Sequence, residues 1–493
     1  MKSEQDELRL LLRSRFPIIV VETAEERRLL QVVENLANLD EVPLFTWSVV
    51  KGLSGMKVGS GVANTRELID AIAHLTRSPQ NGLFVFLDAQ PFLDHPGVIR
   101  MIREIAFEHA STRQTLCFVG TRVELHPDLQ RMSASFRLAP IGPEDVKKLI
   151  KEEAELYMSQ QETNLRADRA AYDLLVQHLV GLSRDDARRM IRQSIEHEGA
   201  ITMDDVARVL RVKHESLGQG GTLQMVTDVE TLDRVGGQSR VKKWLELRRE
   251  AFLRRGGTEA LDVPKGMLLL GVQGAGKSLA ARAVAGSWKV PLLRLDFGAL
   301  YNKFHGETER NLRAALETAG QMAPCILWLD EIEKGVAAGD AAGDGGVSRR
   351  VLGTLLTWMS ERRDRVFLIA TANDIGSLPP ELLRKGRFDE IFFVDLPSTE
   401  VRAEIFRIHL ARRSHPVEAF DLAKLAACAE KFSGAEIEQS IIAAAYAAHA
   451  EKQPLATAHI AAEIGATRPL AVLRAEEVAA LRRWADGRTV PAD

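Results

Sequence analysis

The sequence lacks the patterns that mark a secreted, membrane or zinc-dependent protein. No apolar run approaches the length of a membrane span, and the first residues are too polar for a signal peptide. The three cysteines, Cys117, Cys325 and Cys428, are far apart and form no C-x-x-C pair, which is typical of reduced, mostly buried thiols. The H-E-x-x-H motif of zinc proteases is missing, as is any recognisable serine or cysteine catalytic constellation. These absences predict a soluble cytoplasmic protein without a fused protease.

An excess of charge of either sign is also lacking. The chain has 65 Lys and Arg against 68 Asp and Glu, a formal net charge of −3. Binding to nucleic acid would need a local basic patch, and no dense basic run interleaved with aromatic residues is present, which argues against a DNA or RNA motor. What the chain does have is 45% apolar residues over 493 positions, enough for about two to four domains with buried cores.

One stretch fits a phosphate-binding motif in full. Residues 271–278 read GVQGAGKS, the pattern G-x-x-x-x-G-K-[ST], between an apolar run and a helical run. Glycines let several backbone N–H groups face one anion, and the following helix adds its positive end. Lys277 is expected to neutralise β- and γ-phosphate oxygens, and the Ser278 hydroxyl to bind Mg²⁺. A glycine-rich turn that binds nothing is the alternative. The predicted nucleotide contacts are Gln273, Gly274, Ala275, Gly276, Lys277, Ser278 and Leu279.

Two acids end a second apolar strand, Cys325–Leu329. Asp330 is expected to hold Mg²⁺ directly or through water, and Glu331 to orient and polarise the water that attacks the γ-phosphate. The apolar run before them favours a central strand over a solvated strand end. Asn373 follows a third strand, Val366–Thr371, where a neutral amide can hold the attacking water; a simple turn residue is the alternative.

Two arginines, Arg384 and Arg387, lie three residues apart after this third strand. At that spacing beside a helix end they can reach a phosphate in an adjoining subunit, where an arginine stabilises the charge of the transition state. Arginines in surface ion pairs are the alternative interpretation. The first interpretation predicts a site that is complete only in an oligomer.

The motifs GVQGAGKS, LWLDE, IATAND and LLRKGRFDE, followed by SGAE, resemble an AAA+ ATPase module over about residues 228–468. The segments LLRLD at 292–296, LRKGRFDEIFF at 383–393 and FSGAEIEQ at 432–439 are similar to one family, named after hypothetical chloroplast open reading frame forty-six. That family is found in cyanobacteria, algal plastids and other bacteria, and the resemblance spans nearly the whole chain. It implies an α/β fold with a P-loop parallel sheet of the ASCE class and a helical lid. A degenerate AAA-like α/β domain with its own helical bundle is expected to precede this module.

The resemblance also implies site residues that spacing alone would not give. Val235 and Gly236, in LDRVGG, match the backbone segment that packs over adenine. His409 matches the lid residue that closes over the base and ribose, and Gly434 and Ala435 match a close backbone approach to the nucleotide. An ordinary core helix residue is the alternative for His409.

A pore loop is implied between the second strand and its helix. Lys303, Phe304 and His305 match the first pore loop, in which an aromatic residue grips a threaded polypeptide. A phenylalanine tucked into the core is the alternative for Phe304.

The N-terminal half alternates short apolar runs with amphipathic stretches, which predicts a parallel sheet with helices on both faces. Residues 24–28 read AEERR where a glycine loop would follow the first strand, and Ala89 follows Asp88 where a second acid would stand. We therefore predict an ATPase-like sheet without catalytic equipment; an unrelated α/β domain is the alternative. The candidate strands are 17–23, 43–48, 83–88, 115–121 and 135–139, and the candidate helices include 24–37, 65–75 and 98–109.

Five segments follow from these patterns. They are a degenerate ATPase-like domain (1–142), a helical lid-like bundle (143–215), a Gly-rich linker (216–227), the large ATPase subdomain (228–396) and its lid with C-terminal helices (397–493).

The predicted function is a Mg²⁺-dependent ATPase with ATP and Mg²⁺ as cofactors. By resemblance it forms a homo-oligomeric ring, a hexamer, and uses hydrolysis to remodel or unfold a protein partner. The competing hypothesis is a nucleotide-gated oligomeric scaffold that binds ATP and a partner without threading it. Neither a membrane nor nucleic acid is expected among the partners.

Overall fold

The computed structural model describes residues 4–23, 25–55, 61–138, 141–161, 165–217, 221–253, 260–301, 307–337, 345–384 and 386–493. The chain divides into two compact units. The N-terminal unit comprises Met1–Asp168 and Leu179–Ile201, and the C-terminal unit comprises Arg169–His178 and Thr202–Asp493. No described helix is both long enough and apolar enough to cross a membrane.

A six-stranded sheet forms the centre of the N-terminal unit, in the order β3-β2-β4-β5-β1-β6. Its strands are β1 (Ile18–Glu22), β2 (Leu44–Ser48), β3 (Gly52–Gly55), β4 (Gly82–Leu87), β5 (Gln114–Gly120) and β6 (Ser133–Phe136). All neighbours are parallel except β2 and β3. The helices of this region are α1 (Glu4–Arg13), α2 (Glu26–Leu39), α3 (Leu68–Arg77), α4 (Pro96–Thr112) and α5 (Pro127–Gln130).

Apolar side chains cover both faces of this sheet, because its central strands are continuous apolar runs with helices on either side. All five predicted strands occur, with ends shifted by at most three residues. The strand β3 and the helix α1 were not predicted. The sequence of β3, Gly52–Gly55, is GLSG, which has no apolar alternation to indicate a strand.

The helical region after the first sheet contains α6 (Pro143–Gln161), β7 (Arg166–Ala167), α7 (Arg169–Leu179), α8 (Arg184–Glu198), β8 (Ala200–Ile201) and α9 (Met203–Leu217). Within the N-terminal unit, α8 packs on α6, and Arg188 and Arg192 both pair with the buried Glu153. Ser183 caps α8 by accepting a hydrogen bond from Asp186 N at 3.0 Å. The bounds 143–215 for a separate bundle stay a prediction.

The C-terminal unit has a seven-stranded sheet in the order β15-β14-β10-β13-β12-β11-β9. Its strands are β9 (Leu223–Val226), β10 (Gly266–Gly271), β11 (Leu292–Leu295), β12 (Cys325–Leu329), β13 (Val366–Ala372), β14 (Glu390–Val394) and β15 (Val490–Pro491). Only β9 is antiparallel to its neighbour. The prediction of a linker at 216–227 was therefore wrong in part. Its short apolar stretch at Leu223–Val226 pairs with β11 as an edge strand, and α9 extends to Leu217.

Besides α9 and most of α7, the described part of this unit has twelve α-helices, which surround the sheet and form the lid. They are α10 (Ser239–Leu253), α11 (Lys277–Trp288), α12 (Phe297–Tyr301), α13 (Glu307–Gln321), α14 (Ile332–Ala337), α15 (Gly345–Glu361), α16 (Thr399–Arg412), α17 (Leu422–Cys428), α18 (Gly434–Ala450), α19 (Thr457–Ala466), α20 (Leu470–Leu473) and α21 (Ala475–Ala485).

Two separate apolar cores hold these elements together. The sheet core contains an aromatic cluster of Phe252, Trp288 and Phe367, with ring centroids 4.8 to 5.8 Å apart. The lid core is formed by apolar residues of α16 to α19. Of the three cysteines, Cys117 and Cys325 are buried and Cys428 is exposed.

Candidate nucleotide-binding site

Three neighbouring parallel strands, β10, β13 and β12, end at one edge of the C-terminal sheet. Ligands of open α/β sheets bind at the carboxyl ends of the strands. The glycine loop follows β10, Asp330 and Glu331 follow β12, and Asn373 follows β13. The sheet therefore brings together three motifs that span about a hundred residues of sequence.

The glycine loop closes tightly over the sheet edge. A Cβ atom on Gly271 would lie 2.0 Å from the carbonyl oxygen of Val394, so only glycine fits where the loop leaves β10. Gly274 has φ +77°, and a Cβ there would lie 2.7 Å from Ser433 Oγ. Helix α11 begins directly after the loop, at Lys277, so its free N–H groups and positive end border the same space. This cradle fits a phosphate group.

Lys277 is the buried cation of the loop. Its side chain is 6% exposed, and Nζ donates to the carbonyl oxygens of Gly271 and Val272 at 2.8 and 2.7 Å. Burial lowers the pKa of Lys277 to about 8, while the nearby Glu333, Glu331 and Asp330 act in the opposite direction. Two neutral carbonyls compensate a buried ammonium poorly, so an anionic phosphate is a better partner for it.

A hydroxyl and a carboxylate stand next to the lysine. Ser278 Oγ is 3.2 Å from Asp330 Oδ1, and Thr371 Oγ1 donates to that same carboxylate oxygen at 2.8 Å. Arg294 Nη2 donates to the other oxygen, Oδ2, at 3.2 Å. Oxygen ligands of this kind suit Mg²⁺, which is commonly held by one or two protein oxygens together with nucleotide phosphates. The residues present therefore fit the ion that the motifs imply.

Glu331 and Asn373 form a pair beyond these oxygens. Asn373 Nδ2 donates to Glu331 Oε1 at 3.0 Å, and Lys334 Nζ pairs with the second carboxylate oxygen. Glu331 has φ +48°, and its backbone N–H donates to Thr371 Oγ1 at 3.0 Å. A left-handed backbone at a non-glycine residue is uncommon, and here it holds the carboxylate next to the amide.

A cavity of about 430 Å³ joins these groups to the lid. The backbone N–H of Ala435, at the start of α18, donates to the carbonyl oxygen of Gly274 at 3.1 Å. Burial lowers the pKa of His409, which favours a neutral imidazole. Fifteen of the predicted site residues line the cavity: Val235, Gly236, Gln273, Gly274, Ala275, Gly276, Lys277, Ser278, Leu279, Asp330, Glu331, Asn373, His409, Gly434 and Ala435.

Comparison with known proteins gives the family. An AAA domain-containing protein ycf46 of Trieres chinensis is 35% identical over 486 residues, covering 97% of this chain and 96% of that protein. Its namesake in Pyropia yezoensis is 35% identical over 493 residues, covering 99% of each chain. The chain belongs to the ycf46-like family of AAA+ ATPases. This assignment confirms the resemblance and the fold class predicted from the motifs.

Family models divide this AAA+ ATPase into three matched segments. Residues 267–396 match the ATPase family associated with various cellular activities (AAA). Residues 4–138 match the N-terminal domain, and residues 144–220 the second domain, of SpoVK-like AAA ATPases. A proteasome-activating nucleotidase of Aeropyrum pernix is 38% identical over 191 residues, which is 38% of this chain and 46% of that protein.

The two predicted arginine fingers of the AAA+ module lie elsewhere. Arg384 is exposed, Arg387 is half-buried, and neither is among the described residues that line the cavity. Lys265 Nζ donates to the carbonyl oxygen of Gly386 at 2.9 Å, and Asp389 Oδ2 accepts from the backbone of Lys265 at 2.7 Å. These bonds fix the segment that carries both arginines to the start of β10.

The predicted pore-loop residues, Lys303, Phe304 and His305, lie outside the described residues. The role of this loop therefore stays a prediction.

Several residues of the site were missed from the sequence. Thr371 supports both acids, and the buried Glu333 accepts a hydrogen bond from the backbone of Asn373 at 2.9 Å. Burial raises the pKa of Glu333. A hydroxyl inside an otherwise apolar strand could have indicated Thr371. Glu333 and Lys334 carry no local signal beyond their charge, and Arg294 is distant in sequence from Asp330.

Proposed function

We propose that the C-terminal unit hydrolyses ATP in the presence of Mg²⁺. The observation that carries the proposal is the contact between Glu331 and Asn373, at 3.0 Å, beside the Ser278–Asp330 oxygens and the glycine loop. A carboxylate fixed by a neutral amide can take a proton from water and aim that water at a phosphate.

The side chains divide the chemistry among themselves. Loop N–H groups and Lys277 bind the phosphates. The phosphate oxygens then take the place of the carbonyl oxygens of Gly271 and Val272 as partners of Lys277 Nζ. Bound Mg²⁺ supplies charge neutralisation on the phosphate oxygens. Thr371 holds the Asp330 carboxylate, and Glu331 acts as the base for the attacking water. These residues provide no arginine that could stabilise the charge of the transition state on the γ-phosphate.

We infer that Arg384 and Arg387 of a second copy complete the site. Both arginines lie on a segment that Lys265 and Asp389 hold in place, yet outside the cavity of their own chain. A ring of copies is the arrangement in which every site receives a neighbour's arginines. The ring would use ATP hydrolysis to remodel or unfold a protein partner. The similarity of the ATPase module to a proteasome-activating nucleotidase supports this last step.

The first experiment measures ATP hydrolysis and particle mass together. Glu331→Gln is expected to lower the rate of hydrolysis at least a hundredfold while ATP binding is retained. Light scattering on a sizing column should then give a mass about six times that of one chain with ATP and Mg²⁺. Glu317→Gln, an exposed acid on α13, is the matched control and should leave both readouts unchanged. A monomer under all conditions would contradict completion of the site by a second copy.

The remodelling step is tested at Phe304. If this residue grips a threaded polypeptide, Phe304→Ala should abolish remodelling of a partner protein while basal ATP hydrolysis persists. Retention of both activities would instead support a nucleotide-gated scaffold.

A further inference from the structure

The side chain of Gln238 lines the nucleotide cavity, although no motif assigns it a role. Gln238 follows the Val235–Gly237 segment and is only 4% exposed. Its φ of +54° lies in the left-handed region, which residues other than glycine rarely adopt. Its carbonyl oxygen accepts a hydrogen bond from Lys242 N at 2.9 Å, at the start of α10. The backbone is thus fixed in an uncommon conformation.

The carboxamide of Gln238 lacks partners where they are expected. Oε1 is buried and accepts no hydrogen bond from the described residues. Nε2 lies 3.3 Å from the position that a Cβ atom would have on Gly276, the glycine before Lys277. Buried polar groups are nearly always hydrogen-bonded. A phosphate oxygen is an acceptor and cannot satisfy Oε1, so the atom available to a phosphate is the donor Nε2, which lies beside the phosphate loop and makes no hydrogen bond with a described residue.

We infer that Gln238 is a further nucleotide-binding residue, whose Nε2 donates to a phosphate oxygen. The inference rests on the proposed ATP-binding function and adds a side-chain contact to it. The position of Nε2 beside Gly276 assigns the contact to the phosphates, because this glycine belongs to the loop that cradles them. A neutral amide can donate there without adding a second buried charge next to Lys277.

Two substitutions distinguish the contribution of the Nε2 donor from that of the shape of the Gln238 side chain. Gln238→Met keeps the length and removes both polar atoms, and it is expected to weaken ATP and ADP binding about tenfold. Gln238→Glu keeps the shape but turns the donor into a carboxylate, which should weaken binding further through repulsion. Gln321→Met, at an exposed glutamine of α13, is the matched control. Affinities of the full chain are measured by titration calorimetry with Mg²⁺ present.

Adenosine has base and ribose but no phosphate, so its affinity shows whether Gln238 contacts the phosphates or the rest of the nucleotide. A phosphate contact predicts that both Gln238 variants bind adenosine as wild type does. Equal weakening of ADP and adenosine, or no weakening of either, would overturn the inference.

The melting temperature without nucleotide controls for folding. It should stay unchanged or rise in Gln238→Met, since an unpartnered buried acceptor is removed. Failure of the wild-type chain to bind both ATP and ADP would overturn the proposed function, and this inference with it. Wild-type binding with unaltered variants would overturn the inference alone.

Discussion

The sheets of the two units have the same strand order. If the two-residue edge strand β15 is left out, each sheet has five parallel strands, and numbered along the chain they lie in the order five, one, four, three, two. This order is β6-β1-β5-β4-β2 in the N-terminal unit and β14-β10-β13-β12-β11 in the C-terminal unit. Each sheet also continues to an antiparallel strand beside its second strand, β3 in one unit and β9 in the other. The difference between the units therefore lies in the loops and side chains at the strand ends.

The loop after the first strand differs most. In the C-terminal unit the carbonyl oxygen of Gly274 accepts from Ala435 N, at the start of α18. In the N-terminal unit the acceptor at the corresponding helix start is the carboxylate of Glu25. Its Oε1 accepts a hydrogen bond from Arg184 N, at the start of α8, and its Oε2 pairs with Arg28 at 2.8 Å. A helix N-terminus favours an anion. In the N-terminal unit the anion at the helix N-terminus is the Glu25 carboxylate. A glycine loop at this position would leave room for a phosphate instead.

The ends of the third and fourth strands differ in fewer residues. Asp88 follows β4 without a second acid, whereas Asp330 and Glu331 follow β12. The strand β5 ends in Val119 and Gly120 with no hydroxyl, whereas β13 supplies Thr371. The comparison teaches that this strand order does not depend on the proposed catalytic residues, because the apolar strands and covering helices stabilise it without them.

The largest effect is expected at the glycine loop. Lys277→Ala should weaken ATP binding about a hundredfold or more, because it removes the buried cation that faces the phosphates. Calorimetry should then give one nucleotide per chain for the wild type and none for the variant. One nucleotide still bound with wild-type affinity in Lys277→Ala would break the comparison, since either the lysine would not contact the phosphates or the N-terminal unit would hold the nucleotide.

A stability effect is expected at Glu25. Glu25→Ala should lower the free energy of unfolding by about 1–3 kcal/mol, because Arg184 N and the Arg28 guanidinium both lose an acceptor. Denaturant unfolding measures this change, and Glu26→Ala, an exposed neighbour, serves as the control. ATP hydrolysis per folded chain should stay constant. Unfolding curves that coincide for the two variants would contradict the role of the carboxylate.

A pH dependence is expected from Lys277, whose pKa is lowered by burial to about 8. A bound phosphate favours the ammonium form and raises this pKa, so binding above about pH 8 must take up a proton. Affinity should therefore fall as pH rises, by about tenfold between pH 7 and 9. Titrations in buffers of different ionisation enthalpy measure the proton uptake, and an affinity that is flat over this range would argue against the lysine contact.

The smallest effect is expected at Thr371. Thr371→Val makes the end of β13 more like that of β5. It removes one donor from the Asp330 carboxylate and the acceptor of the Glu331 backbone N–H. The rate of hydrolysis should fall about fivefold, with a higher Mg²⁺ requirement. A Mg²⁺ titration of activity measures both, with Thr318→Val, on α13, as the control. An unchanged Mg²⁺ requirement would show that Thr371 does not position the metal-binding carboxylate.

The chemistry of contiguous segments was predictable from the sequence. The glycine loop, the two acids and Asn373 each follow an apolar strand, and parallel strands bring such ends together. Contacts that depend on distant segments were not predictable. Glu25 and Arg184 are 159 positions apart, and the strands β9 and β15 are short edge strands whose pairing only the folded sheet defines. The backbone angle that turns Gln238 toward the cavity has no signature in the sequence.

The separate core of the lid bears on the timing of the reaction cycle. Because α16 to α19 pack around their own apolar centre, the lid can rotate as one body without unpacking the sheet. Polar links that such a rotation breaks include Ala435 N to Gly274 O and Gly237 N to Glu404 Oε2, at 3.1 and 3.0 Å. Release of a bound nucleotide would then require the lid to open and these links to break.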